Sequence, residues 1–317
     1  MLRNKISLFF LFFFLFIASY GQQVPYRPVS HMIFTPAVFN PAITGSRDAT
    51  EISIITGTQK FYNTQLLSGS SRLFRKNAQN SFIPDISSFS NIGVGGYFYH
   101  YNIDSVRNLG GALSGSYHLP LDRDALSFLS VGLSAKGIYS HKYSYSEEPD
   151  TGQNTTFTPD LDAGIFYYNP RFYIGLSATN IFSSPSDSGF STHVGNNASR
   201  QFLGYFGYRF VVSRTNALVL EPFLFVNYGD FSMGNQPPSH FHPGLRFYYK
   251  GSYVGTYLND PKNFAFFMHL EFQGFFIGSY VEFPMNPDTP WKNDKLFLEL
   301  SAGIHLRTHK KEFMKYW

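Results

Sequence analysis

The sequence predicts an all-β fold, a transmembrane antiparallel β-barrel of about 14 strands, and three observations carry that reading. Short segments of strict apolar/polar alternation recur from Glu51 to Arg307. Their polar side is built from Ser, Gly, Thr and Tyr rather than from Lys and Glu. An apolar, export-type leader precedes them.

Alternation matters because successive side chains of a strand point to opposite faces, so such a segment must meet an apolar medium on one side and a polar one on the other. Between Leu298 and Arg307, the residues Leu298, Leu300, Ala302, Ile304 and Leu306 share one face. Glu299, Ser301, Gly303, His305 and Arg307 take the other. Leu129, Val131, Leu133 and Ala135 oppose Ser130, Gly132, Ser134 and Lys136 in the same way, and Phe172, Ile174, Leu176 and Ala178 oppose Tyr173, Gly175, Ser177 and Thr179. A soluble β-sandwich also alternates, but its solvent face normally carries more Lys and Glu. The leader and the aromatic load favour the barrel, with lipid outside and a wet lumen inside.

Taken in chain order, the first element is the leader. Arg3 and Lys5 give a basic start, Leu8 to Ala18 is an unbroken apolar run, and Ser19 and Gly21 are small residues at a cleavage spacing. Residues 1–21 therefore read as a signal peptide, with Gln22 as the first mature residue. The run is shorter than the roughly 20 residues of a membrane-spanning helix. Residues 22–49 precede the first strand, are too Pro-rich for a helix, and read as a periplasmic or plug-like segment. Candidate strands then follow at Thr50–Tyr62, Gln65–Phe74, Ile92–Tyr101, Leu109–Leu119, Ala125–Tyr139, Pro159–Tyr168 and Arg171–Ile181. The series continues with Arg200–Val212, Ala217–Tyr228, Phe241–Tyr249, Ser252–Leu258, Asn263–Glu271, Phe275–Phe283 and Lys295–Arg307, so the barrel occupies residues 50–307. Residues 308–317 form a basic tail. Tight links such as Tyr168–Arg171 and Lys250-Gly251 suit the short turns of one rim. The polar stretches Arg75–Asn91, Tyr143–Thr158, Phe182–Ser199 and Gly229–His240 suit the loops of the other.

Composition agrees with a membrane barrel. Aromatics make up 19% of the chain and charged residues only 15%, against roughly 25% charged in soluble domains. The mean hydropathy of −0.16 is compatible with membrane residence, because only alternate residues of a barrel face lipid. A net charge of +4, scattered without a basic stripe, gives no footprint for nucleic acid. The chain has 0 cysteines, which removes a lipidated N-terminal cysteine, disulfides and a thiol nucleophile.

No residue pattern points to catalysis, a cofactor or a metal. His240 and His242 share a strand face beside Pro243, but two ligands make a weak site. Gly93-Val94-Gly95-Gly96 lies within a strand pattern, with no helix following, so it reads as close packing or curvature rather than a phosphate loop. There is no Gly-x-Ser-x-Gly elbow at a strand-to-helix junction. The acids Asp160, Asp162, Glu221, Glu271, Glu282 and Glu299 stand isolated in strand segments and are expected to pair inside the lumen, with Arg209, Arg246 and Arg307 as partners.

One local motif goes further. His31-Met32-Ile33-Phe34-Thr35-Pro36-Ala37-Val38-Phe39-Asn40-Pro41-Ala42-Ile43-Thr44-Gly45-Ser46-Arg47 resembles the entry signature of the PorP/SprF family of Bacteroidota outer-membrane proteins. Thr35-Pro36 stands where members carry an Asn-Pro, and Thr44 where alanine is usual. A second likeness lies in the hairpin Leu161–Tyr168 and Phe172–Ile181, with Asp162 where the family often has Asn. The resemblance covers essentially the whole mature chain and implies an outer-membrane component of the type IX secretion system, linked in many members to gliding motility. It implies as partners outer-membrane lipid, secreted adhesin cargo, and periplasmic and peptidoglycan-associated components of the machine. For Phe34, Phe39, Asn40, Pro41, Ala42, Gly45 and Ser46 two readings stand: a pre-strand turn or plug packed into the barrel mouth, or a docking site for a partner. A non-enzymatic barrel that acts by binding is the leading expectation, and a solute channel lined by Tyr, Ser, Lys and His is its rival.

Overall fold

The computed structural model describes residues 30–47, 49–59, 62–74, 89–103, 106–122, 125–142, 155–182, 200–213, 215–229, 239–258, 263–284 and 296–307. The proposed signal peptide and the basic tail lie outside them. A short helix, α1 (Ser30–Phe34), and two 3₁₀ turns (Pro36–Val38 and Pro41–Ile43) come first. The wall follows: β1 (Ala49–Gln59), β2 (Tyr62–Phe74), β3 (Phe89–Ile103), β4 (Val106–Asp122), β5 (Ser127–Lys142), β6 (Thr155–Tyr168), β7 (Phe172–Thr179) and β8 (Gln201–Tyr208). It continues with β9 (Phe210–Ser213), β10 (Leu218–Gly229), β11 (Ser239–Tyr249), β12 (Ser252–Leu258), β13 (Asn263–Glu271), β14 (Phe275–Pro284) and β15 (Phe297–Arg307).

Apart from β8 and β9, every strand pairs antiparallel with its sequence neighbour, and β1 closes on β15 over the register Ala49↔Arg307 to Thr58↔Leu298. β8 and β9 lie end to end along β10, separated by Arg209, so the 15 segments make a closed barrel of fourteen staves. Each stave corresponds to one strand of the sequence reading. The turns have their expected chemistry. Lys250 and Gly251 both take positive φ, at 48° and 93°, as a two-residue hairpin that matches strand twist requires. Asn169 Oδ1 accepts from the Arg171 and Phe172 amides at 2.8 and 2.9 Å, closing the β6–β7 turn.

The alternation has the expected outward face. Leu113 (78% exposed), Leu133 and Leu176 point out of the wall, while Ser114, Ser130, Ser134 and Ser177 point in. Exposed Tyr139, Phe157 and Phe182 lie on adjacent staves of the outer surface toward one end, and Tyr117, Tyr249, Phe272 and Phe275 toward the other, the described parts of two aromatic girdles. Among the described residues no helix is long and apolar enough to cross a membrane; the crossing elements are strands.

Two expectations are corrected here. The long segment 75–88 joins β2 to β3 at the rim that carries the Tyr168–Arg171 and Lys250-Gly251 turns and both ends of the barrel chain, and the two-residue links 60–61 and 104–105 join strands at the rim of the other long loops. The inner face is also not uniformly polar and wet. Phe166, Tyr173, Tyr205, Phe223, Phe225, Tyr253, Phe267, Tyr280 and Phe297 turn inward and are buried in a continuous core.

Candidate functional site

The lumen has two unlike halves. Facing residues 30–47, β2 to β5 present a patch of small inward residues, Ser68, Ser70, Gly93, Gly95, Ala112, Ser114, Ser116, Ser130, Gly132 and Ser134, bordered by larger ones such as Arg72, Tyr97, His118, Phe128 and Lys136. From β6 to β14 the inward positions are largely aromatic, and stacked or tilted ring pairs such as Phe166–Tyr205 (5.5 Å) and Phe223–Phe225 (5.0 Å) fill the space. Residues 30–47 occupy the room left by the patch of small residues. Sequence reasoning treated the stretch as non-helical, yet Ser30–Phe34 is helical because it lies between Pro28 and Pro36, and Thr35, preceding a proline, ends it.

Hydrogen bonds anchor this segment to opposite sides of the wall. His31 Nε2 lies 3.0 Å from Glu299 Oε1 on β15. Asn40 caps the second 3₁₀ turn through Oδ1, which accepts from the Ala42 amide at 2.9 Å. Its Nδ2 donates to the carbonyls of Ile165 on β6 and Leu176 on β7, at 3.2 and 3.3 Å. The Thr44 carbonyl accepts from Ser116 Oγ (2.5 Å) and His118 Nε2 (2.9 Å) on β4. His118 Nδ1 in turn accepts from the Tyr168 hydroxyl at 3.0 Å, so a polar relay runs from β6 to the segment.

Shape matching is as strict as hydrogen bonding. A Cβ on Gly93 would strike the Thr44 carbonyl, one on Gly132 the backbone of Pro41 and Ala42, and one on Gly164 the Asn40 side chain. Gly45 has φ +69° and lies against the Gly93 and Arg72 backbone, a position that only glycine fills without strain. At the exit, Arg47 pairs with Glu51 on β1. Burial works against the Arg47 charge, but Glu51, with smaller contributions from Tyr253, Tyr248 and Glu271, outweighs it and holds the pKa above the ordinary arginine value.

The seven motif residues are thus brought together inside the barrel. Phe34 (3% exposed), Phe39, Asn40, Pro41, Ala42 and Ser46 are buried, as is Gly45 against the wall. None of them presents a surface to a partner in this arrangement. Sequence reasoning missed their receptors; the signal was the run of small inward residues on β2 to β5.

The lumenal acids find cations, though not always the expected ones. Glu221 accepts from Arg209 Nε at 2.7 Å, Arg246 Nη1 at 2.9 Å and the Tyr173 hydroxyl at 3.0 Å. Asp162 pairs with Lys136, and Glu299 meets His31 of the enclosed segment. Glu282 is held by Asn263 (2.9 Å) and the Tyr280 hydroxyl (2.6 Å), and Glu271 faces His305 at 3.9 Å. The side chains of Arg307 and His240 lie outside the described residues. His242 is buried edge-on to Tyr257, and among the described residues no three His, Asp or Glu side chains gather where a metal could sit.

A family model described as type IX secretion system membrane protein PorP/SprF matches residues 21–304. No curated protein matches the chain. Similar solved structures include BamA from Haemophilus ducreyi lacking POTRA domains 1-3, 9% identical, covering 82% of this chain and 70% of that one, with a TM-score of 0.40. The translocator domain of autotransporter NalP from Neisseria meningitidis is 9% identical, with 82% and 87% covered and a TM-score of 0.36. CdiB from Acinetobacter baumannii is 8% identical, with 81% and 60% covered and a TM-score of 0.38. Superpositions this loose carry no argument about the present chain.

Proposed function

The chain belongs to the PorP/SprF family of type IX secretion system membrane proteins, and on that premise we propose that it is a plugged, non-enzymatic barrel that acts by binding. It resides in the outer membrane, held by its apolar belt and aromatic girdles. In this reading it supports export or surface attachment of adhesins of the gliding type, with loops toward the cargo and the short-turn rim toward periplasmic and peptidoglycan-associated components. Residues Phe34 to Ser46 act as an internal plug rather than as a docking motif. The supporting observation is the filled lumen: one buried core runs from Met32 and Phe39 of the enclosed segment into the inward aromatics of the wall. A solute path needs a continuous polar bore, and rings of Tyr and Phe in van der Waals contact do not provide one.

Purified protein in planar bilayers is expected to show no steady conductance; ohmic single-channel steps would overturn the reading in favour of a channel. Cells lacking the gene, and any paralogue, are expected to lose export or surface display of type IX cargo. Normal display would remove the secretion role.

A further inference from the structure

We propose that the free edge of β9, Phe210–Ser213, is a docking edge for an extended segment of a periplasmic partner, apolar in its centre and acidic at the flank that meets Arg171. The segment would add to the sheet as a further strand. β9 pairs with β10 alone, through Phe210↔Leu220, Val211↔Val219 and Ser213↔Leu218. On its other side β7 begins only at Phe172, opposite Tyr208, so the wall ends four residues short and no described strand covers β9. The Arg209 amide donates to the Arg171 carbonyl at 2.7 Å, which is the last bond along that edge.

Two properties separate this edge from three other overhangs. Where β4 runs past β3, β6 past β7 and β11 past β12, the overhanging stretch contains Pro120, Pro159 and Pro243 respectively. Proline removes the amide that an added strand would need, a common protection of exposed edges. β9 has no proline, and it has three consecutive exposed apolar residues, Phe210 (51%), Val211 (58%) and Val212 (62%). Strand alternation should turn Val211 into the lumen; its exposure, although Val219 and Tyr248 at the same level are buried, shows that β9 lies at the margin of the core and is open on both faces. An unguarded apolar edge of this kind binds by main-chain pairing, with side chains adding selectivity.

Charge sets one flank of the partner. Arg171 is exposed and abuts the start of the free edge, so the end of an added strand that meets it is favoured as acidic. The inference rests on reading the short-turn rim as periplasmic, and it adds a specific contact to the binding role proposed above.

The test uses the full-length protein in detergent micelles and a synthetic heptapeptide, Asp-Val-Thr-Val-Thr-Val-Asp, with a Lys-flanked version as control. Hydrogen exchange at Phe210–Ser213 is expected to slow with the acidic probe, which binds about tenfold tighter than the control. Arg171→Glu, a surface change, is expected to invert that preference, and Val211→Asp to abolish protection while the heat-modifiable gel shift of the folded barrel persists. No slowing at millimolar probe, equal response to both flanks, or protection retained in Val211→Asp each overturns the proposal. Because the chain has 0 cysteines, Lys250→Cys provides a single label. Its reaction with an impermeant maleimide on intact cells would overturn the periplasmic partner, whereas the plug reading is decided separately by conductance.

Discussion

Asn40 shows how much a single side chain can carry in this protein. Its amide and carbonyl tie two strands and a turn together, at Ile165, Leu176 and Ala42, in a site that is almost wholly buried. Asn40→Ala leaves those backbone groups without their partner and should cost about 2–3 kcal/mol, read as a lower urea midpoint for loss of protease protection of residues 30–47. Gly132→Leu addresses the same seat from the wall side. It should drive the segment out and leave the barrel folded, so limited proteolysis would cut near Pro41 while the gel shift survives. Glu221 is a different case, a fully buried carboxylate shared by two arginines. Glu221→Ala strands both cations and should destabilise the barrel by about 3–5 kcal/mol in detergent unfolding, more than any surface charge change.

At the scale of elements, the outward face was legible and much of the inward face was not. Strands such as Leu129–Lys136 alternate cleanly because lipid faces one side and the small, hydroxylic seat of the enclosed segment faces the other. Phe223-Leu224-Phe225-Val226 and Phe266-Phe267-Met268 do not alternate, because a packed aromatic core is as apolar as lipid and both faces select the same residues. The break at Arg209 was hidden for a related reason. A charged residue within a strand pattern reads as lumen-facing, which it is, but its bond to the Arg171 carbonyl and the register shift at Leu218/Val219 need the neighbouring hairpin to be seen. The Asn40-Pro41 motif was visible in sequence, yet its seat is built from residues on strands far apart in the chain. Deleting residues 30–46 tests the element as a unit. It removes the apolar side chains of Met32, Ile33, Phe34, Val38 and Phe39 from the lumen and should convert a silent barrel into one with steady conductance.

The whole molecule behaves as a barrel with a solid interior, and wall and enclosed segment should therefore unfold together. Protease protection of residues 30–47 and the heat-modifiable shift are expected to disappear at one temperature; two separated transitions would count against a shared core. The seam between β1 and β15 adds an order of events. Ala49 pairs with Arg307 and Thr58 with Leu298, so the last join of the cylinder brings together opposite ends of the chain. Residues 30–47 run straight into β1, one lip of that join, so the occupant of the lumen is tethered beside the last seam to be zipped. Closing such a cylinder includes seating its occupant, which gives the assembly apparatus a step that an empty pore would not impose.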